Sequence, residues 1–570
     1  MSLDQENEYF SDGITEEIIN ALTTIDGLKV ISRTSAFAYK GKNEDVRKIG
    51  QVLGVASILE GSVRKSGSKV RITAQLIDVQ DGIHFWSNTF DRELTDVFGL
   101  QDEISLLIAD QVRQNYGHLD IDNSLTENHT RNVLAFDLYH KGRYHQLKWD
   151  TTNFKKAIQF YEEAIIADPK YPLPYCGVAL CYSYLFYWGA IGKEEASYHI
   201  QTSLQKVRDL DNQIPEYHHG LATYAIMHNW DYQVAHSEFK KVLELNPSYT
   251  DTLEGLAGLY ILSDEFDIGL ELIERALDLN PLSSNHHFMK GNILYFSGDY
   301  PNAMLSFEKT LDLDPGMQLA VERKLQCLIL MGKLDESSET LGVRDFSRFQ
   351  ALDRGYHGNA ISTLSEDVED SLQTWKLYFS VYQKDDESAL SYLEDGLQRR
   401  VGIYSCFMHD PFLKPIRNHP RYQQLLGSYG HQQFDASPLK STQKAEAAKL
   451  SASDIKTFSF RLDQLLSDQK VYCDPYLTLN TLSEKMDLHA NKLSWLINFE
   501  RKKNFNELIN SYRVEHFKKM ALDPAYAHLT LLGLAYESGF NSKTVFNNYF
   551  KKSAGVTPKE WVKQNQQGKA

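Results

Sequence analysis

The period of the apolar positions divides the chain into three stretches. In the first, residues 1–118, helical and strand-like patterns mix. "TEEIINALTTI" sets Ile14, Ile18, Ala21, Leu22 and Ile25 on one helical face, with Thr15 as a candidate cap. "LKVIS" reads as a short buried strand and "NEDVRKIGQVLG" as a helix. "SILEGSVRKSGSKVRITAQLIDVQDG" alternates apolar and polar positions around "KSGSK", which predicts a β-hairpin. "IHFWSNTFD" adds a strand, and "DVFGLQDEISLLIADQV" closes the stretch as an amphipathic helix. Together these predict a small α/β domain around a parallel or mixed sheet.

In the second stretch, residues 132–426, the pattern is helical and repeats. Asp168-Pro169, Asn246-Pro247, Asn280-Pro281 and Asp314-Pro315 punctuate it, the last three prolines at intervals of 34. Twelve residues before each proline stands a small residue: Ala157, Ala235, Gly269 and Ala303. Eight before stands a bulky one: Tyr161, Phe239, Ile273 and Phe307. A lone helical hairpin cannot bury its apolar face, so such units stack into a solenoid. Units are predicted at 133–169, 170–215, 216–247, 248–281 and 282–315, with degenerate ones after them. The run from Tyr171 to Gly192 is long enough for a bilayer and carries no charge. Its two prolines, three glycines and five tyrosines place it instead as the first helix of a repeat, so no membrane span is expected.

Residues 427–452 read as a Gly-, Ser-, Lys- and Ala-rich linker. In the third stretch, 453–566, one motif occurs twice. "LTLNTLSEKMDLHANKLSWLINF" holds a helix with Leu479, Leu482 and Met486 on one face, a short turn, and a second helix with Leu493, Leu496 and Ile497 apolar. "LTLLGLAYESGFNSKTVFNNYFKK" repeats this, with Leu532 and Ala535, a turn at Gly539, and Phe546 and Phe550 inward. Two short helices joined by a tight turn predict a helix-turn-helix, whose second helix can enter a major groove. "NFNELINSYRVEHFKKMA" between them predicts a longer helix that sets their spacing.

Composition sharpens this division. The chain of 570 residues has formal net charge −16, which gives no general affinity for nucleic acid. Yet residues 451–570 carry +5 and the remainder −21, so the basic excess sits at the end with the duplicated motif. The five cysteines are scattered, with no CxxC pair; neither a disulfide framework nor a zinc site is favoured, and a reducing, cytoplasmic compartment fits.

Three resemblances follow from these residues. "EYFSDGITEEIINAL", "VISRTSAFAYKGK", "ILEGSVRKSG" and "HFWSNTFDREL" resemble the TolB-like amino-terminal domain that precedes repeat modules in bacterial regulators. That family has a hydrophobic strand before "EYFSDG", which is not encoded after Met1; either Met1 is an internal methionine of a longer natural protein, the favoured expectation, or the domain lacks the strand and exposes an unpaired edge. The 34-residue period resembles tetratricopeptide repeats. Above all, "LAYESGFNSKTVFNNYFKKSAGVTPKEW", with "LSEKMDLHANKLSWLIN" and "NFNELINSYRVEH", resembles the AraC family of transcription regulators.

The AraC resemblance implies two recognition helices in successive major grooves of double-stranded DNA. Candidate base contacts are Asn491, Lys492, Ser494, Trp495 and Asn498 in the first unit, and Lys543, Thr544, Asn547 and Asn548 in the second. Lys502, Lys503, Arg513, Lys551 and Lys552 are the phosphate candidates. Trp495 and Asn548 stand where the family often carries Arg or another long polar residue, so the DNA sequence read does not transfer; Trp495 could equally be core.

Catalytic chemistry is not expected. There is no GxxxxGK[ST] loop, HExxH or G-x-S-x-G, and no cofactor is implied. Glu16-Glu17 and Glu194-Glu195 read as solvated helix faces. His218-His219 and His286-His287 are poor metal pairs, because adjacent helical residues diverge by about 100°. Tyr182, Tyr184 and Tyr224 either line a partner-binding face of the repeats or pack within it. The fold expected is multidomain and mainly α: a small α/β domain, an α-solenoid and an all-α double helix-turn-helix domain. Two functions compete: a DNA-binding regulator whose amino-terminal domain and repeats sense a signal or a protein or peptide partner, and a repeat-based adaptor with weak or vestigial DNA contact. Oligomeric state stays open, a homodimer included.

Overall fold

The computed structural model describes residues 5–25, 27–66, 68–93, 97–121, 129–335, 346–359, 375–430 and 450–567. Most of the expected linker lies outside them. Two compact units divide the chain. One gathers residues 1–19, 29–55 and 128–440; the other gathers 20–28, 56–127 and 441–570. Residues 1–118, read as one domain in the sequence, contribute to both.

The first unit is a stack of helical hairpins. Val133–Gln146 pairs with Thr151–Ala167, and Pro172–Tyr187 with Lys193–Leu210. Pro215–Tyr224, extended by a π turn to Asn229, pairs with Tyr232–Leu245. Thr250–Ile261 pairs with Phe266–Leu279, and Ser284–Ser297 with Tyr300–Leu313. The prolines end these helices as steric reasoning requires, because a residue before proline is driven out of the α region. Asp168, Asn246, Asn280 and Asp314 all take φ between −144° and −136°.

The small and bulky positions do what their spacing implied. Ala157, Ala235 and Ala303 are fully buried, as are Tyr161, Ile273 and Phe307, with Phe239 nearly so. The rings seat in glycine notches. A Cβ on Gly142 or Gly177 would lie 2.4 or 2.5 Å from the Tyr161 ring, and one on Gly291 2.4 Å from Phe307. The uncharged run is the buried helix Pro172–Tyr187, and among the described residues no helix is long and apolar enough to cross a membrane.

Three expectations for the amino end fail here. The helix begins at Gln5, not at Thr15, and the Thr15 hydroxyl bonds back to the Ser11 carbonyl inside it. Leu28–Ser32 forms no strand; Ser32 N–H donates instead to the Leu279 carbonyl of a repeat at 2.8 Å. Glu16 is not solvated. It is buried, with Arg33 Nε at 3.3 Å, Arg143 Nη2 at 3.2 Å and His140 Nδ1 at 3.5 Å. Burial pushes its carboxyl up, and Arg33, Arg143 and His140 together overcome that and hold it well below the usual range.

The second unit contains a three-stranded sheet of order β1-β2-β3, β1 Ser57–Ser66, β2 Lys69–Asp78 and β3 His84–Glu93. Both pairings are antiparallel, so the expected parallel or mixed sheet is not what forms. Ser66 faces Lys69 across the hairpin expected around "KSGSK". Val70, Ile72, Ala74 and Leu76 on β2 are buried, as are Leu100, Ile104 and Ile108 on the helix Val97–Tyr116. Tyr116 OH donates to Asp78 Oδ2 at 2.9 Å and ties that helix to the sheet.

Candidate DNA-binding site

The carboxy-terminal part of the second unit is built from capped short helices. Leu479–Met486 starts at a Thr478/Thr481 capping box and ends at Asp487, whose φ of 51° turns the chain without glycine. Ala490–Arg501 follows, its His489 cap accepting from Asn491 N–H. Phe505–Ala521 opens on a second capping box, Asn504 with Glu507. Leu531–Glu537 is capped by Thr530 and Lys543–Ala554 by Ser542. Thus two helix-turn-helix units flank one long helix.

That long helix carries both cores. Phe505, Leu508 and Ile509 pack with Leu479, Leu482, Met486, Leu493, Leu496 and Ile497. Val514, Phe517 and Met520 pack with Leu534, Ala535, Phe540, Phe546 and Phe550. Leu534, not Leu532, is the deeply buried leucine of the second unit. At the second turn Gly539 has φ 99°, and a Cβ there would sit 2.2 Å from the Tyr472 carbonyl oxygen. Only glycine fits.

The base-contact candidates separate on this frame. In the first recognition helix, Asn491, Trp495 and Asn498 follow the i, i+4, i+7 spacing of one face, opposite the buried Leu493, Leu496 and Ile497. Lys492 is exposed. Trp495 is half-buried and stacks on Phe499 with centroids 4.6 Å apart; the exposed Phe499, four residues on, was missed in the sequence. Ser494 is buried, 3% exposed. In the second helix Lys543 and Asn548 are exposed and Asn547 half-buried. The side chain of Thr544 lies outside the described residues.

Among the phosphate candidates, Lys502, Lys551 and Lys552 are exposed, and Lys503 donates to Ser511 Oγ at 3.2 Å. Arg513 is a correction. It is buried, Nε donating to the Tyr472 carbonyl at 2.7 Å and Nη2 to the Asp474 carbonyl at 2.8 Å. Burial pulls its guanidinium down to about 10. Its donors are spent on the fold.

The repeat residues singled out by sequence turn out to be packing groups. Tyr184 stacks on Phe154 at 5.5 Å, Tyr182 on His199 at 4.1 Å, and Tyr224 OH accepts from Gln201 at 2.5 Å. The histidine pairs split between separate partners: His218 with Glu238 at 2.6 Å, His219 with Thr252 at 2.9 Å, His286 with Glu254 at 2.7 Å and His287 with the Pro281 carbonyl at 3.1 Å.

Comparison with known proteins agrees with this geometry. Residues 482–564 match the family described as "Helix-turn-helix domain". The carboxy-terminal segment is therefore an AraC-type helix-turn-helix domain. A protein of Rhizobium meliloti (strain 1021), "Putative adenylate cyclase 3", is 33% identical over 224 residues, 39% of this chain and 38% of that relative. The match thus spans well under half the relative's length. Solved structures that resemble the chain include a tetratricopeptide repeat protein from Parabacteroides merdae (16% identity, 50% of this chain and 99% of that one, TM-score 0.28). YrrB, a TPR protein with an unusual peptide-binding site, is another (15% identity, 33% and 91%, TM-score 0.22). At such scores the repeat assignment rests on the helical hairpins themselves.

Proposed function

We propose that this protein is a sequence-specific DNA-binding regulator of transcription, reading duplex DNA with two helix-turn-helix units. The repeats and the amino-terminal segments receive a signal or a protein or peptide partner. One observation carries the reading: both units hang from the single helix Phe505–Ala521, which carries both cores. A shared rigid helix fixes the spacing of two recognition helices, as reading adjacent grooves requires. Exposed lysines flank both, Lys502 after the first and Lys551 and Lys552 at the end of the second.

The test is selection of bound duplexes from random-sequence DNA with the full chain. A recurring bipartite motif, bound with steep salt dependence, supports the reading. Binding without preference favours the adaptor instead. Catalysis is no part of the proposal, and the cyclase name belongs to the relative. Incubation with ATP should yield no cyclic AMP.

A further inference from the structure

The reading face of the first recognition helix already has a ligand, and it belongs to this chain. Asn491 Oδ1 accepts from Ile121 N–H at 3.4 Å, while Asn491 Nδ2 donates to the Ile121 carbonyl at 3.2 Å. Arg113 Nη1 also donates to Asn491 Oδ1. A peptide N–H and C=O presented side by side offer the donor–acceptor pair that adenine N6 and N7 offer in a major groove, the edge an asparagine amide reads. Asn491 is therefore satisfied by backbone in the manner in which it would be satisfied by a base.

The same segment also approaches Asn498 on that face and neighbouring residues outside the helix. Gly117 lies so close that a Cβ on it would be 3.4 Å from Asn498 Oδ1, one end of the Asn491, Trp495, Asn498 stripe. Asn504 Nδ2 donates to the Asn115 carbonyl at 2.6 Å, and Asn506 Nδ2 to Asn115 Oδ1 at 2.8 Å. At the other helix of the unit, Asn480 Nδ2 donates to the Asp110 carboxylate at 2.8 Å. Arg113 is 3% exposed and Ile121 7%. These contacts engage both helices of the unit and the start of the long helix.

We propose that residues 110–121 are an internal substitute for DNA on the first helix-turn-helix unit, and that Asn491 is an adenine-reading residue released when they lift away. DNA and this segment then compete for one amide. The inference rests on the DNA-binding function proposed above. It adds a gate to that function and names what closes it.

The experiment measures binding of labelled random-sequence duplex DNA by the full chain at one fixed salt. Arg113→Ala removes a positive charge, which by bulk electrostatics weakens attraction to DNA. Release of the segment predicts the opposite sign, binding tighter by about five- to tenfold, within the usual range for coupled sites. Asn115→Ala, a milder change outside the reading face, should move affinity in the same direction with an unaltered circular dichroism spectrum. In DNA selected by the Asn115→Ala chain, adding Asn491→Ala should remove an adenine preference at one position. If folded Asn115→Ala binds no tighter than the unaltered chain while both bind DNA, the gate is wrong and the DNA-binding function stands. If no form binds DNA, the function falls and takes the gate with it.

Discussion

Arg513 Nε donates to the carbonyl oxygen of Tyr472 at 2.7 Å, fastening the long helix of the DNA-binding domain to the turn before its first helix-turn-helix. The group that sequence placed on a phosphate is a strut. Arg513→Ala leaves two backbone carbonyls, of Tyr472 and Asp474, without that partner. The expected loss is about 2–4 kcal/mol of stability, seen as a lower Tm for the carboxy-terminal transition. Lys551→Ala should leave Tm unchanged. An Arg513→Ala chain that melts normally but loses DNA would restore the phosphate role.

Gly539 and Gly555 give a paired test of close approach. Both have positive φ, 99° and 75°, but a Cβ meets the Tyr472 carbonyl at 2.2 Å in the first and nothing within 4 Å in the second. Gly555→Ala should cost about 1–2 kcal/mol for the left-handed backbone alone. Gly539→Ala must also displace backbone and should cost clearly more. Equal Tm shifts would show that the contact at Tyr472 relaxes freely.

The exposed lysines and the reading residues should separate by salt. Lys551→Ala with Lys552→Ala is expected to weaken all duplexes alike and to flatten the slope of log affinity against log salt by about 1 per lysine. Lys543→Ala or Asn548→Ala should instead relax preference at particular base pairs, costing about 1–3 kcal/mol there. Filter binding on matched and scrambled sites distinguishes these, and a uniform loss for all the variants would erase the division.

Two buried histidines should make the repeats acid-sensitive. Burial pulls His219 and His228 down to about 4, with the Lys193 charge adding to the effect at His228 and Asp251 opposing it at His219. Their ordinary value is 6.5, so between that and about 4 the unfolded chain binds protons that the folded one does not. Stability is therefore full above the ordinary value and falls as pH drops through the window, by up to about 3 kcal/mol per histidine. His228→Phe, stacked like the native ring on Phe186 at 4.2 Å, should flatten the denaturation midpoint across that range. A midpoint with the native pH profile would mean the ring is already charged or solvated.

Local physics made much of this protein legible in sequence. An Asx-Pro dipeptide ends a helix whatever surrounds it, so the repeats were countable from Pro247, Pro281 and Pro315. Period-two alternation around "KSGSK" marked the β1–β2 hairpin. In the helix-turn-helix units, Leu493, Leu496 and Ile497, like Phe546 and Phe550, are core by spacing alone.

What the chain does with a polar or short apolar segment depends on neighbours far away in sequence, and there the pattern was silent. "LKVIS" has strand propensity, but Ser32 found a repeat carbonyl at Leu279 rather than a strand. Glu16 looks solvated until Arg33 and Arg143 compensate its burial. Arg513 looks like a phosphate contact until the fold takes its side chain inside. The helical period puts Asn491 opposite Leu493, Leu496 and Ile497, but that Ile121 already occupies its amide could only be decided by tertiary structure, because a hydrogen bond between residues 370 positions apart leaves no local trace in the sequence.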